Sequence, residues 1–156
     1  MGKLTPGTTE GPYYKENSPE RSDLREKGVP GENLLLTGYV LDTNNKPIAG
    51  AWLDFWQADG SGKYDNAGYV LRGHQFSDKS GKYHLETVVP GGYTGRTPHI
   101  HVKVKAPGSP VTLTTQLFIP ERDTNESDPI FRDDLLVMMS LTAKGKLANF
   151  DFVIKP

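Results

Sequence analysis

The stretch RTPHIHVKV, residues 96–104, decides the fold class, because it has the pattern of a β-strand with a sharp beginning. Pro98 disfavours helical backbone at the residue before it, which defines where the strand starts. Side chains at positions i and i+2 of a strand point to the same face. His99 and His101 should therefore converge on one point, as two imidazoles that share a metal ion must, with the permanent cation of Arg96 close by.

Similar strand signals recur along the chain on both sides of this stretch. Leu53 and Phe55 share one face of the second predicted strand, and Trp52, Asp54 and Trp56 share the other. The 17 glycines and 12 prolines among 156 residues exceed the ordinary share of about 12% and favour many turns. About seven or eight short strands with frequent turns predict an all-β fold, an antiparallel β-sandwich. The predicted strands are 34–41, 51–57, 83–87, 99–105, 112–119, 135–141 and 149–154.

A chain of 156 residues is long enough for one domain with its own core. Residues 1–33 are polar and rich in turn formers, so we expect an N-terminal arm that wraps the core. Residues 34–156 are expected to form the sandwich. The one helical signal is weak and predicts a short helix at 20–27.

The composition excludes several classes of function. The absence of cysteine excludes disulfides, iron–sulfur clusters and a thiol nucleophile, so any metal must have nitrogen and oxygen ligands. A net charge of −1 with scattered Lys and Arg predicts no nucleic-acid partner. No apolar run approaches about 20 residues, so no membrane span is expected. The N-terminus lacks an apolar signal region, which predicts a cytoplasmic protein, or a secreted one if a signal peptide was removed.

Two tyrosines follow glycine-rich turns, where loops leave strands and where ligands and catalysts commonly lie. Tyr64 follows the turn at 60–62, and Tyr93 follows the turn at 90–92, six residues before His99. A trivalent metal stabilises phenolate, so two tyrosinates with two neutral imidazoles form an electron-rich set that favours iron(III). The histidine pair alone leaves open the alternative of two partly exposed histidines on a sheet.

Five segments, taken together, resemble the intradiol ring-cleavage dioxygenases, which include protocatechuate 3,4-dioxygenase and catechol 1,2-dioxygenase. In that family they carry a substrate-contacting arm, the first tyrosine ligand, the second tyrosine ligand, an arginine with two histidines, and an active-site glutamine. The segments are TEGPYY at 9–14, PIAGAWLDFWQA at 47–58 with GKY at 62–64, PGGY at 90–93, RTPHIH at 96–101 and LTTQL at 113–117.

The resemblance implies a β-sandwich enzyme with non-haem iron(III) held by Tyr64, Tyr93, His99 and His101 together with a water or hydroxide. Tyr93 and His101 would be axial, and Tyr64 and His99 equatorial. A catechol would bind through both oxygens as a dianion, and Tyr93 would leave as a base that takes up a catechol proton. Dioxygen would then cleave the ring to a cis,cis-muconate that retains both of its oxygen atoms.

The same resemblance implies roles for residues around the metal. Arg96 would be catalytic and substrate-binding, because a fixed guanidinium stabilises the charge that develops on the substrate. Gln116 would be catalytic as a neutral hydrogen-bond donor. Pro12 and Tyr13 would line the substrate pocket. The alternatives are a surface ion pair for Arg96, a sheet-face amide for Gln116 and an arm that merely docks on the sandwich.

Other polar residues are expected to have no site role. His74 and His84 are predicted to be surface or turn residues without partners. Asp123, Glu126 and Asp128 are predicted to be solvated charges of an acidic loop, with a calcium site as the alternative.

The chain is short for this family, so we expect no N-terminal helical dimerisation segment of the kind found in the catechol 1,2-dioxygenase branch. It is closer to the protocatechuate branch, where two different subunits often pair. All four expected ligands lie in one chain, and segment 8–14 resembles the arm that the other subunit supplies in paired enzymes. We therefore expect a monomer or homo-oligomer. The substrate stays open among catechol, protocatechuate, hydroxyquinol and alkyl or halo catechols.

Two other classes fit parts of the pattern. Segments 38–42, 46–51 and 78–83 are also typical of transthyretin-like or carboxypeptidase-regulatory-like sandwiches, which serve as binding modules without catalysis. Such modules do not require two tyrosines together with His-x-His. A cupin-type zinc or iron(II) enzyme usually adds a glutamate just after His-x-His, where residues 102–104 are Val-Lys-Val.

Overall fold

The computed structural model describes residues 2–156, and this part of the chain is an all-β sandwich, as predicted. It contains nine strands and one short 3-10 helix, Asp133–Leu135. No helix within residues 2–156 has the length and apolar character needed to cross a membrane. The strands are β1 (Asn33–Leu41), β2 (Trp52–Gln57), β3 (Arg72–Phe76), β4 (Lys82–Val88), β5 (His99–Lys105), β6 (Leu113–Phe118), β7 (Met138–Thr142), β8 (Gly145–Asn149) and β9 (Phe152–Val153).

The strands form two sheets. The four-stranded sheet has the order β3-β2-β5-β6, with every pair antiparallel. The five-stranded sheet has the order β4-β1-β8-β7, with β9 beside β1. β1 runs parallel to both β8 and β9, so the sandwich is mixed rather than wholly antiparallel. The predicted strands 99–105 and 34–41 agree closely with β5 and β1.

Several sequence predictions about the elements are wrong. Residues 20–27 form no helix, because the arm lies extended there and its backbone bonds to strands instead. Arg21 N donates to His74 O at 2.9 Å and Leu24 N donates to Glu86 O at 2.8 Å, while Leu24 is fully buried. β3 and β8 were not predicted, since RGHQF and GKLAN lack a clear apolar alternation.

The core lies between the two sheets and is filled by alternate residues of each strand. β2 contributes Leu53 and Phe55, and β5 contributes Ile100, Val102 and Val104. The facing sheet contributes Leu34, Leu36, Val40, Leu85, Ala148 and Phe152. Burying side chains of this size is worth about 1.5–3 kcal/mol each, so this layer provides most of the driving force for folding.

The opposite, outer face of the four-stranded sheet carries polar and aromatic residues in register. One row across the strands consists of Arg72, Trp56, His101 and Gln116. The strand register thus places residues from four distant parts of the sequence side by side. All four side chains are buried, so a second layer must cover this face.

The N-terminal arm of the same chain provides part of that layer. Thr8 N donates to Thr114 O at 2.9 Å, and Thr115 Oγ1 donates to Pro6 O at 2.8 Å, which fixes the arm along β6. Further along, Tyr14 Oη donates to Asp54 Oδ2 of β2 at 2.9 Å. The arm therefore crosses the outer face of the sheet from β6 to β2.

Candidate metal centre

The two histidines of β5 meet at one point, as their i, i+2 spacing predicts. His99 Nε2 and His101 Nε2 are 3.0 Å apart, and both side chains are buried. His99 Nδ1 donates to Thr97 O at 2.7 Å; since a carbonyl can only accept, Nε2 of His99 is left with a free lone pair. The ring of His101 stacks on Trp56 at 4.7 Å between centroids, which holds it in place.

Two tyrosines complete the cluster from the turns that precede β3 and β5. Tyr64 Oη lies 3.3 Å and Tyr93 Oη 3.4 Å from His99 Nε2. Their turns are in direct backbone contact, since Gly91 N donates to Asp59 O at 2.8 Å. Gly62 has φ +87°, and a Cβ added there would lie 2.3 Å from Gly92 O. Only glycine allows the two turns to approach this closely.

Burial determines the charge state of the cluster. Burial, with the charge of Arg96 adding to it, lowers the pKa of His99 to about 4. Burial also lowers the pKa of His101 well below its ordinary value, with His99 adding to the effect. Both imidazoles are therefore neutral and able to bind a metal near pH 7. Burial raises the pKa of Tyr64, with Tyr93 adding to it, so Tyr64 becomes a phenolate only beside a strong positive charge.

The donor atoms fit a single metal ion. Ligands about 2.0–2.2 Å from one ion and at right angles to each other are separated by about 3 Å. The Nε2 of His101 and the two phenol oxygens lie 3.0–3.4 Å from His99 Nε2. Residues 2–156 contain no group of three or more His, Cys, Asp or Glu suited to a metal, so the two tyrosines are essential to this set.

Arg96 lies beside the cluster and is held in place from several sides. It closes a turn with Tyr93, in which Arg96 N donates to Tyr93 O at 2.8 Å. Its Nη2 donates to Gln116 Oε1, and its Nε donates to Asp128 Oδ2 at 2.9 Å. Gln116 Nε2 in turn donates to Thr9 O of the arm at 2.9 Å. The guanidinium and the amide therefore belong to one network at the site.

The acidic loop differs from its sequence prediction at one residue. Asp123 and Glu126 are exposed, as expected, but Asp128 is buried and is not a solvated charge. Asp128 accepts hydrogen bonds from Thr97 N at 2.9 Å and Ile130 N at 2.8 Å, as well as from Arg96. Burial tends to raise its pKa, but these donors outweigh burial and lower the pKa overall. No sequence signal separates Asp128 from its acidic neighbours.

The arm brings Tyr13 to the cluster. Its ring stacks on Tyr64 with 4.2 Å between centroids and 17° between planes, and it meets Tyr93 edge-on at 6.2 Å. Gly11 lies so close to His101 that an added Cβ would be 3.5 Å from Cε1 of that ring. Pro12 lies between them and is exposed. Segment 11–13 therefore lies against three of the four candidate ligands, Tyr64, Tyr93 and His101.

The sequence analysis missed a second polar cluster beneath the arm. His74 was expected to lack partners, but its Nδ1 donates to Ser18 O at 2.9 Å. Ser18 Oγ donates to Asp54 Oδ1 at 2.7 Å, so Asp54 holds both Ser18 and Tyr14 of the arm. Burial raises the pKa of Asp54 despite these donors. The sequence did contain one signal for this cluster, because Asp54 is a charged residue inside the otherwise apolar strand 51–57. His84 is exposed, as expected.

Comparison with known proteins reveals the family. The dioxygenase family model Dioxygenase_C matches residues 9–156. The 6-chlorohydroxyquinol 1,2-dioxygenase of Cupriavidus pinatubonensis is 31% identical over 97% of this chain and 65% of its own length. This chain belongs to the intradiol ring-cleavage dioxygenase family. The match favours neither a transthyretin-like binding module nor a cupin.

Solved structures agree with this assignment. The dioxygenase domain of a dioxygenase and carbohydrate-binding protein fusion from Streptomyces sp. SirexAA-E has a TM-score of 0.94 and 46% identity, covering 98% of this chain and 99% of that one. An intradiol ring-cleavage dioxygenase from Tetranychus urticae has a TM-score of 0.89 and 28% identity, covering 99% of this chain and 96% of that one. The chain spans about half to two thirds of the length of the curated relatives it matches.

Proposed function

We propose that this chain is a non-haem iron(III) intradiol dioxygenase that cleaves a catechol-type diol with dioxygen to a cis,cis-muconate. The observation that carries the proposal is that two phenol oxygens and the Nε2 of His101 all lie 3.0–3.4 Å from His99 Nε2. Family membership supports it, because intradiol, catechol and hydroxyquinol dioxygenases are among its relatives.

In this proposal Tyr64, Tyr93, His99 and His101 would hold the iron. When bound, iron(III) would supply Lewis-acid chemistry that makes a bound diol reactive toward dioxygen. In the overall reaction the carbon–carbon bond between the two hydroxyl-bearing carbons breaks. Both atoms of dioxygen enter the product, which is a dicarboxylic acid.

The chain's own residues handle protons and charge. Tyr93 lies in a turn closed by Arg96 and is only partly buried, and in this proposal its oxygen would accept a proton from the diol. Arg96 presents a guanidinium that is held by Asp128 and Gln116 before substrate arrives. Preorganised positive charge of this kind stabilises the anion that develops during ring attack.

The arm encloses the site. The Tyr13 ring, stacked on Tyr64, would form one wall against which a flat aromatic diol can lie. Pro12 would lie at the rim, because it is exposed next to Tyr13. The arm comes from the same chain, so one copy contains every residue assigned here, in keeping with a monomer or homo-oligomer.

The visible spectrum of the aerobically purified protein tests the proposal first. Tyrosinate bound to iron(III) gives a charge-transfer band, so the protein should be coloured. The band should shift when catechol is added without oxygen. Oxygen uptake with catechol, hydroxyquinol and protocatechuate then identifies the diol. A protein that stays colourless and inactive after iron(III) is supplied would contradict the proposal.

A further inference from the structure

Arg72, the first residue of β3, is a fully buried arginine without a carboxylate partner in the described chain. Its exposed fraction is 1%, yet none of the ion pairs found within residues 2–156 includes it. The neighbouring carboxylate of Asp65 is occupied by its own turn, where it accepts from Gly68 N at 2.9 Å and Val70 N at 3.1 Å. A buried charge without a counter-ion costs several kcal/mol, so its position calls for a specific explanation.

The guanidinium instead binds two backbone carbonyls, one in the Tyr64 loop and one in the arm. Its Nε and Nη2 donate to Asp65 O at 3.1 and 3.0 Å, and its Nη1 donates to Tyr13 O. Asp65 directly follows Tyr64 in sequence, and Tyr13 carries the ring that stacks on Tyr64. Arg72 therefore joins the backbone of Tyr13 to the backbone of Asp65, the residue that follows Tyr64.

The surrounding structure keeps Arg72 in this position. Leu71 has φ +56°, a left-handed conformation that is strained for a non-glycine residue, and its side chain is buried in the core. Arg21 of the arm donates to Arg72 O from Nε at 3.1 Å and from Nη2 at 3.0 Å. The register of the sheet then places Arg72 in the same row as Trp56 and His101.

We propose that Arg72 is a positioning residue that clamps the arm to the Tyr64 loop and so builds the Tyr13 wall of the substrate site. It acts through Tyr13 and does not itself touch the diol. The planar fork of arginine suits this role, because it donates along two directions at once, which a lysine ammonium on a flexible chain does not reproduce. As a statement about catalysis, the inference rests on the proposed dioxygenase function; as a statement about the arm, it does not.

The test compares Arg72→Lys, which keeps the charge, with Arg25→Lys as a matched control. Arg25 is a surface arginine paired with Asp23 and remote from Tyr13 in its contacts. In the metal-free protein, hydrogen–deuterium exchange of residues 8–16 should accelerate about tenfold in Arg72→Lys and stay unchanged in Arg25→Lys. This readout requires no activity, so it distinguishes failure of the clamp from failure of the proposed reaction.

Kinetics provide the second readout. In the iron-loaded enzyme, Arg72→Lys should raise KM for the diol about tenfold, with a smaller change in kcat and near-normal iron content. Tyr13→Ala should raise KM similarly, and the double variant should be no worse than Tyr13→Ala alone, because both changes remove the same wall. Additive effects, or exchange of the arm that stays as in the wild type, would overturn the proposal.

If Arg72→Lys does not fold, NMR spectra of the wild-type protein still test whether the clamp exists. A guanidinium clamped between two carbonyls should give separate, slowly exchanging Nη–H signals for Arg72 in ¹⁵N NMR spectra. A single averaged signal in fast exchange with water, as expected for the exposed Arg25, would mean that the clamp does not exist in solution.

Discussion

The two sheets of this sandwich use their outer faces differently. In the four-stranded sheet, five of the six residues of β2 are buried, because the arm and loops cover the face that points away from the core. In the five-stranded sheet, β1 alternates between buried and more exposed residues, and Met138 and Leu141 of β7 are 78% and 70% exposed. Both sheets have similar inner faces. The candidate site therefore depends on a second covering layer, which residues 2–156 supply to the four-stranded sheet and not to the five-stranded one.

The covering layer changes what a polar residue does. On the covered face, histidines, tyrosines and carboxylates lose water and must satisfy one another or bind a ligand. On the open face, the same residue types stay solvated. Substitutions matched between the two faces should therefore have very different effects, and the following predictions are arranged from the largest effect to the smallest.

His99→Ala should have the largest effect. It removes the imidazole on which the other three donor atoms converge, so we expect the purified protein to lose most of its iron and at least about 100-fold in activity. Metal analysis and oxygen uptake measure both. The matched control is His84→Ala on β4, where the histidine is exposed. Full activity of His99→Ala would mean that the ligand set is wrong.

Tyr93→Phe should keep substantial iron but slow turnover by about 10²–10⁴-fold, because it removes the oxygen expected to take up a catechol proton. Single-turnover kinetics and the charge-transfer band separate binding from chemistry. Tyr39→Phe on β1, in the five-stranded sheet, should change neither. Near-normal turnover by Tyr93→Phe would rule out Tyr93 as the base.

Asp128→Asn should lower kcat about 10-fold or more, because it leaves the guanidinium of Arg96 without its carboxylate, and should destabilise the fold by about 1–3 kcal/mol. The folded-state pKa of Asp128 is lowered, so its contribution is present above the unfolded pKa of about 4 and is lost as pH falls below it. Urea unfolding of wild type and variant should therefore converge at low pH. If the stability difference between wild type and Asp128→Asn did not change with pH, the ionised carboxylate of Asp128 would not be its cause.

Asp54→Asn sharpens the same experiment, because its pKa is shifted in the opposite direction. Burial raises the folded-state pKa of Asp54, so its contribution is present below about pH 4 and is lost as pH rises through the folded-state value. The free energy of unfolding of the wild type, measured relative to Asp54→Asn, should therefore fall as pH rises. Measured relative to Asp128→Asn, it should instead increase as pH rises. If the two stability differences had the same slope against pH, the pKa values of Asp54 and Asp128 would not be shifted in opposite directions.

Met138→Lys should have the smallest effect. The side chain is largely exposed on the five-stranded sheet, so stability should change by no more than about 0.5 kcal/mol and activity not at all. Thermal unfolding and sedimentation measure the outcome. A clear loss of stability, or a change in the oligomeric state, would show that a partner covers this face and that the contrast between the two sheets is incomplete.

Much of the fold was predictable because burial on one face imposes a period of two on a strand. The predicted strand 99–105 matches β5, and the turns before Tyr64 and Tyr93 were recognisable from their glycines. The helix predicted at 20–27 was wrong, because backbone bonds from the arm to β3 and β4 outweigh a weak local preference. β8 was missed because its sequence GKLAN lacks a clear apolar alternation, although it pairs with both β1 and β7 in the structure.

The sequence by itself determined the all-β class, because strand periodicity and turn chemistry are local properties. The resemblance of five segments to the intradiol dioxygenases, also present in the sequence, implied Tyr64, Tyr93, His99 and His101 as candidate ligands. Only the tertiary structure decided that Asp128 is buried against Arg96, that Asp54 anchors the arm and that Arg72 joins Tyr13 to the Tyr64 loop. The bonds of Arg96 to Asp128, of Tyr14 to Asp54 and of Arg72 to Tyr13 join residues that are 32, 40 and 59 positions apart in sequence. Which residues form these contacts depends on the strand register and on the sheet face that the arm covers. Neither is encoded in any short stretch of the chain.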